Sequence, residues 1–278
     1  MTTDGMLALH TLRRGIPGSL PLVALHAFPV DHRMWLDVTD LLPGERTVLA
    51  PDLPGFGTSP SGPDVAAALG ADTAVPSLDV MGDGVAATLR AAGIERAVIA
   101  GFSMGGYVAL SILERHPDLV AGLGLLDTKA TADPDDARAW RLDIARRVRA
   151  EQRVEAIYGM RTSVLGATNR VARPDLVERM AEWISDQGPS AVAWAQEAMA
   201  ARPDRTSLLA GYAKPSLVVV GEEDELSPVD VARGMFYALA DSDLVIVPRA
   251  GHMTSIESPQ PVASGLSRLL RRAEAAIA

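Results

Sequence analysis

Short apolar runs and helical repeats alternate along most of this chain. The apolar runs are four to seven residues long and almost free of polar residues, which is typical of parallel strands covered on both faces. They lie at 22–25, 47–50, 97–100, 120–126, 217–220 and 244–247. Residues 77–93 instead repeat apolar positions every four residues, which predicts a helix capped by Ser77. The alternation predicts an α/β fold with a mostly parallel central sheet and helices on both faces.

Three stretches depart from this alternation. Residues 6–12 alternate apolar and polar positions and predict an edge strand. Residues 60–76 are rich in Gly, Pro, Ala and Ser and predict a surface loop. Residues 129–212 show helical periods and no strand, which predicts an inserted helical unit. The predicted domains are therefore a core of residues 1–128 and 213–278 and a helical insertion of residues 129–212.

Composition and charge narrow the class of protein. The 278 residues, of 29.3 kDa, suit one α/β domain with an insertion. A net charge of −9 argues against a nucleic-acid partner. The absence of cysteine excludes disulfides and thiol catalysis. The sequence has no basic leader and no long apolar segment, so we expect a cytoplasmic protein with no membrane partner.

The motif Gly101-Phe102-Ser103-Met104-Gly105 carries the strongest chemical signal. It follows an apolar run and opens into a predicted helix, which is the strand–turn–helix setting of a nucleophile elbow. Glycines flank the serine because side chains there would clash where strand and helix cross. Roughly one chain in eight of this composition would contain G-x-S-x-G by chance, so the context has to support the motif.

The later apolar runs supply that context. The run at 217–220 is followed by Gly221-Glu222-Glu223-Asp224, and the run at 244–247 leads to His252. One loop offers a carboxylate and the other an imidazole. The chain order Ser103, Asp224, His252 is the order of the α/β-hydrolase triad. These features predict a serine nucleophile with a histidine base and an acid.

On these residues the chain resembles the α/β-hydrolase superfamily, and within it the small cofactor-free esterases, lactonases and haloperoxidase-like enzymes. Residues 25–29 (Leu-His-Ala-Phe-Pro) look like the family's oxyanion loop, and residues 52–59 look like its D-x-x-G-x-G-x-S turn. The resemblance implies an α/β-hydrolase fold in which the helical insertion is a cap over the catalytic end of the sheet. It implies no cofactor, and we find no metal-binding motif in the sequence.

The resemblance also assigns roles. Ser103 would be the nucleophile, His252 the base, and the backbone N–H groups of Phe28 and Met104 the oxyanion hole. Asp224 and Asp127 both end predicted strands and are both candidates for the acid. We favour Asp224, because its loop is similar to the family's acid loop and Asp127 opens into the insertion, where it can serve as a helix N-cap or hinge.

Six further residues carry expectations about conformation, role or exposure. The family usually has glycine where this chain has Ala27, so the oxyanion loop must use an ordinary backbone conformation or be slightly altered. We interpret His26 as structural and Asp52 as the anchor of a turn. His10 and His32, like His116, are expected to be partly exposed.

The expected substrate is a small-molecule ester or lactone. Phe28, Trp140, Trp183 and Met253 are the candidate substrate-binding residues. Perhydrolysis by a cofactor-free haloperoxidase mechanism, hydrolysis of a carbon–carbon bond, and a non-catalytic binding protein on a hydrolase fold remain alternatives. The oligomeric state is left open.

Charge separates the insertion from the rest of the chain. Residues 129–213 hold 13 basic and 12 acidic residues, whereas the remainder holds 13 and 23. This balance is compatible with a carboxylate-bearing substrate, because guanidinium groups bind carboxylates. It is also compatible with an ordinary solvated helix surface, which is the interpretation we favour.

Overall fold

A computed structural model describes residues 6–277. Seven strands form one sheet in the order β1-β3-β2-β4-β5-β6-β7, and only β1 is antiparallel to its neighbour. The strands are β1 (Leu9–Arg13), β2 (Leu22–Leu25), β3 (Val48–Pro51), β4 (Ala97–Phe102), β5 (Val120–Leu126), β6 (Ser216–Gly221) and β7 (Ser242–Val247). The six predicted apolar runs are therefore the six parallel strands, and the predicted edge strand is β1.

Thirteen α-helices lie among the described residues. They are α1 (Leu36–Leu41), α2 (Gly62–Ala68), α3 (Leu78–Ala91), α4 (Met104–Arg115), α5 (Asp135–Glu151), α6 (Met160–Ser163), α7 (Ala167–Ala172), α8 (Pro174–Ser185), α9 (Pro189–Ala200), α10 (Thr206–Gly211), α11 (Val229–Ala238), α12 (Thr254–Glu257) and α13 (Pro259–Ile277). Short 3₁₀ helices cover His32–Trp35 and Glu155–Ile157.

Helices cover both faces of the sheet. The pair α1 and α13 packs together, with α13 against β4 to β7, and the pair α3 and α4 covers the other face. Strands β2 to β6 are buried along their whole length, whereas β7, at an edge, is mostly half-buried. This is the doubly covered parallel sheet that the uninterrupted apolar runs predict. The predicted fold class is confirmed.

Local chemistry fixes the helix starts. Ser77 caps α3, since its hydroxyl oxygen accepts the N–H of Asp79 at 3.1 Å. A 3₁₀ turn at His32–Trp35 precedes α1.

The prediction of a loop over residues 60–76 is wrong in its first half. Helix α2 begins there, with Ser61 as its N-cap and Pro63 in its first turn. A Cβ on Gly62 would lie 2.3 Å from the ring of Trp194, so the helix begins pressed against α9. Its small residues carry no amphipathic period, which is why composition alone indicated a loop.

Between β5 and β6 the described residues form helices and no strand. Helix α5 packs along α9, and α8 packs against α6 and α7, while α10 contacts α4 and α11. The division of the chain at residues 129 and 212 stays a prediction. Within residues 6–277, no helix combines the length and apolar character needed to cross a bilayer.

Candidate active site

Ser103 stands on a strained turn between β4 and α4. Its backbone has φ 52° and ψ −112°, a region that non-glycine residues rarely adopt. A Cβ on Gly101 would lie 2.1 Å from the carbonyl oxygen of Gly105, and a Cβ on Gly105 would lie 2.4 Å from that of Leu25. Both flanking positions therefore require glycine, for the crossing of strand and helix that the motif predicts.

The structure brings Ser103, His252 and Asp224 into one chain of hydrogen bonds. His252 Nε2 lies 2.8 Å from Ser103 Oγ, and His252 Nδ1 lies 2.8 Å from Asp224 Oδ2. Because an ionised carboxylate only accepts, Nδ1 carries the proton and Nε2 is free to accept the serine proton. The arrangement can activate a hydroxyl as a nucleophile.

The loop after β6 fixes the Asp224 carboxylate. Its Oδ1 accepts the N–H groups of Leu226 at 2.8 Å and Ser227 at 2.9 Å. Burial alone would raise the pKa of Asp224, but the charge and hydrogen bond of His252 and these two amides lower it below its ordinary value. Asp224 is therefore ionised beside the imidazole.

Asp127, the other candidate acid, does not reach the imidazole ring. Its Oδ1 accepts the N–H of Gly221 at 2.9 Å, and its Oδ2 is hydrogen-bonded to the hydroxyl of Thr254. Burial and the nearby charge of Asp224 raise the pKa of Asp127 well above its ordinary value. No helix begins at Asp127, so the expectation of an N-cap is wrong, and the side chain instead joins β6 to the start of α12.

Two backbone N–H groups near Ser103 are free. Among residues 6–277, neither the N–H of Phe28 nor that of Met104 donates a hydrogen bond to a protein acceptor. Ala27 is absent from the non-glycine residues with positive φ, so this loop uses an ordinary backbone conformation at the position where the family has glycine. The two amides are available to stabilise an oxyanion.

His26 fixes the oxyanion loop from behind. Its Nδ1 lies 2.9 Å from the carbonyl oxygen of Ala27, and its Nε2 accepts the N–H of Leu53 at 2.8 Å. Complete burial lowers the pKa of His26, so the ring is neutral. The hydrogen bonds agree with a structural rather than a chemical role.

Asp52 anchors its turn and also joins two histidines. Its carboxylate accepts the N–H groups of His32 and Thr58, each at 3.1 Å. The rings of His10 and His32 are half-buried, stack with centroids 3.5 Å apart, and lie 2.8 and 2.7 Å from the same carboxylate. These three side chains could supply ligands to a metal ion. The Asp52 carboxylate is already occupied by hydrogen bonds from both histidines and from the turn, so the group anchors the turn.

A cavity of about 230 Å³ opens beside the serine and the imidazole. It is lined by Phe28, Ser103, Tyr107, Lys129, Trp140, Arg141, Met160, Ser163, Gln196, Met199, Leu226, Ser227 and His252. Of the four candidate substrate-binding residues, Phe28 and Trp140 line the cavity.

The structure does not bring Trp183 or Met253 to this cavity. Trp183 is buried on α8, with the guanidinium groups of Arg33 and Arg179 each 5.8 Å from its ring. Met253 is buried behind the histidine loop, where its N–H donates to Glu257. Helical periodicity identified a buried face correctly but not the surface that it faces.

Three of the lining residues that the sequence analysis missed carry a charge or an amide. Lys129, Arg141 and Gln196 come from the segment that follows β5 and from helices α5 and α9. The only sequence signal for them was the charge difference between residues 129–213 and the rest of the chain.

Glu257 was also missed. Its buried carboxylate accepts the N–H groups of Gly166, Gly251 and Met253 at 2.9 to 3.1 Å. The N–H of His252 itself donates to the carbonyl of Val164 at 2.9 Å. The histidine loop is thereby joined to the helical segment above it.

Comparisons with known proteins identify the fold family. The model of the alpha/beta hydrolase fold family matches residues 21–259. The chain is 31% identical over 273 residues to 2-succinyl-6-hydroxy-2,4-cyclohexadiene-1-carboxylate synthase of Enterobacter sp. (strain 638), covering 93% of this chain and 95% of that protein. It is 30% identical to pimeloyl-[acyl-carrier protein] methyl ester esterase of Neisseria meningitidis serogroup B, covering 86% and 89%.

A longer relative and a solved structure extend the comparison. The chain is 28% identical to the dihydrolipoyllysine-residue acetyltransferase component of the acetoin cleaving system of Pseudomonas putida, with 93% of this chain spanning 65% of that protein. A thermophilic esterase from Thermogutta terrifontis, solved with malate bound, superposes with a TM-score of 0.87 at 33% identity, covering 96% and 93% of the two chains. The chain belongs to the alpha/beta hydrolase fold family.

Proposed function

We propose that this protein is a serine hydrolase that cleaves a carboxylic ester or lactone of a small molecule through an acyl-enzyme. The observation that carries the proposal is the hydrogen-bonded chain from Ser103 through His252 to Asp224 at the wall of the cavity. Relatives named as esterases support the ester class.

In the proposed reaction Ser103 Oγ attacks the acyl carbon while His252 Nε2 takes its proton. Asp224 keeps the proton on Nδ1 and stabilises the imidazolium. The amides of Phe28 and Met104 bind the oxyanion that forms, a contribution for which one donor is typically worth about 10²–10³ in rate. Collapse of the intermediate expels the leaving alkoxide, which takes the proton from His252.

Water then completes the cycle. His252 removes a proton from a water molecule that attacks the acyl-enzyme, and the returning proton restores Ser103. With an ester the products are an acid and an alcohol, and with a lactone they are one hydroxy acid. We also propose that residues 129–212 act as a cap, since they supply the wall of the cavity opposite Ser103.

A fluorophosphonate probe tests the class of protein. We expect the probe to label the folded protein at Ser103 and to leave Ser103→Ala unlabelled, because only an activated serine reacts readily. A panel of p-nitrophenyl esters and lactones with the same variant as control then tests the bond cleaved. Folded protein that is neither labelled nor active on the panel would point to a binding protein.

A further inference from the structure

The cavity beside Ser103 carries charges of one sign. Among its lining residues, all of which lie within the described chain, Lys129 and Arg141 are cationic and none is Asp or Glu. The rest of the lining is mainly apolar or aromatic. A neutral ester has no charge to balance two cations placed in so small a space.

The nearest carboxylate does not neutralise these charges. Asp133 lies 2.6 Å from Arg141 Nε, 2.7 Å from Arg202 Nη2 and 3.7 Å from Lys129 Nζ. Burial alone would raise the pKa of Asp133, but the two arginines lower it to about 2, so it carries a full negative charge. Three positive charges thus surround one negative charge, and two remain uncompensated.

Hydrogen-bond donors also remain free on this wall. Arg141 Nη1 donates to Gln196 Oε1 at 3.0 Å. Because a guanidinium only donates, this contact fixes the orientation of the amide and leaves Gln196 Nε2 as a donor. That nitrogen is buried and has no partner among the described residues. Neither Arg141 Nη2 nor Lys129 Nζ has a hydrogen-bond acceptor within residues 6–277.

We propose that Lys129, Arg141 and Gln196 form a carboxylate-binding subsite, so that the substrate carries a free carboxylate in addition to its ester or lactone group. A carboxylate has two oxygens and about four lone-pair positions, enough to accept from all three side chains. The inference rests on the proposed function, because the same cavity holds Ser103. The ion pairs with Asp133 include Arg202, Arg141 Nε and, at 3.7 Å, Lys129, but within the described residues they leave Lys129 Nζ without a hydrogen-bond acceptor and Gln196 Nε2 without a partner.

Matched substrates test the subsite. The monomethyl esters of C4 to C7 dicarboxylic acids would be compared with methyl esters of the monocarboxylic acids of equal length. We expect kcat/KM to favour at least one acid-bearing ester by about 10- to 100-fold. The free energy of hydrogen bonds to a charged group corresponds to a ratio of about that size. The preference should weaken with added salt and lie mainly in KM.

Variants separate the subsite from charge in general. Lys129→Gln, which breaks no hydrogen bond of the fold, should lower the preference ratio about tenfold or more, and Arg141→Gln should lower it further. Arg146→Gln removes the same charge from the exposed side of α5 and should leave the ratio unchanged. Since Arg141 also holds Asp133, Lys129→Gln keeps the test valid if Arg141→Gln misfolds.

The possible failures are distinct. If both ester classes are hydrolysed at equal rates with no salt effect, the subsite is wrong while the proposed function stands. If no ester is hydrolysed and Ser103 is not labelled, the proposed function fails first. Calorimetry on the inactive Ser103→Ala variant gives a readout without turnover. Adding Lys129→Gln to that variant should weaken its binding of the acid-bearing esters. Competition by inorganic phosphate but not by glutarate would overturn the carboxylate assignment.

Discussion

Asp127 and Asp224 end neighbouring parallel strands at the same edge of the sheet, yet their carboxylates have opposite environments. Asp224 accepts from two loop amides and from the imidazole, and its pKa is lowered. Asp127 accepts from one amide, lies in complete burial close to the charge of Asp224, and its pKa is raised. The ionised form is thus favoured for the carboxylate after β6, whereas burial favours the protonated form of the carboxyl after β5.

The comparison teaches that position at a strand end does not assign a chemical role. Two carboxylates close together in a buried setting cannot both ionise cheaply. Contact with the imidazole favours the charged form of Asp224, and burial favours the protonated form of Asp127. Here the contact with the His252 imidazole distinguishes the two carboxylates.

The largest effect should come from the coupling of residues. We expect His252→Ala to lower kcat by about 10⁶, and Asp224→Asn added to it to cost little more, because members of a triad act as a unit. Asp127→Asn added to His252→Ala should cost only what it costs alone. Steady-state rates of the single and double variants would measure this, and a fully additive Asp224→Asn would contradict the assignment.

A smaller effect should separate the two acids directly. Asp224→Asn keeps the shape of the loop but removes the charge that supports the imidazolium, a change that costs about 10⁴ in rate in a well-studied triad. We expect Asp127→Asn to remain within about tenfold of the parent, a barrier change of roughly 1.4 kcal/mol. If the two variants exchange these results, the acid lies after β5.

The smallest effect should be on stability, through the raised pKa of Asp127. Between the ordinary Asp pKa and this raised value, the folded protein binds a proton that the unfolded chain has lost, so stability falls as pH rises. Asn cannot titrate and escapes this loss. The free energy of unfolding of Asp127→Asn, relative to the parent, should therefore improve from pH 5 to pH 7, by at most about 1.4 kcal/mol per pH unit.

Urea unfolding of both proteins at several pH values would measure this difference, and groups common to both cancel. The amide of Asn can still accept from Gly221 and donate to Thr254, so the contacts of Asp127 survive. A difference that does not change with pH would mean that Asp127 is ionised in the fold.

Much of the fold and of the site geometry was accessible from the sequence, because both depend on local patterns. The six parallel strands are apolar runs, and Ser103, Asp224 and His252 each follow one of them. Parallel strands bring their carboxyl ends to one edge, so residues far apart in sequence meet there. The roles of the three residues remain predictions that the variants above test.

What could not be predicted depends on contacts between distant segments. Helix α2 was missed because its small residues carry no amphipathic period, and its start packs against the ring of Trp194, which lies far along the chain. Trp183 was assigned to the substrate because a helical period does not say which neighbour a buried face meets. Lys129 was counted as one of many surface charges, and only the folded structure shows that it lines a cavity together with residues of α5 and α9.

The junction between the histidine loop and the helical segment also limits how the cavity can open. Residues 164–166 are held to that loop by the His252–Val164 and Gly166–Glu257 hydrogen bonds, so this side cannot swing open without disturbing His252 itself. Among the cavity-lining residues, Trp140 and Leu226 are about half exposed, at 52% and 47%. These two side chains and that of Ser163 are the exposed part of the cavity lining, whereas residues 164–166 are tied to the histidine loop.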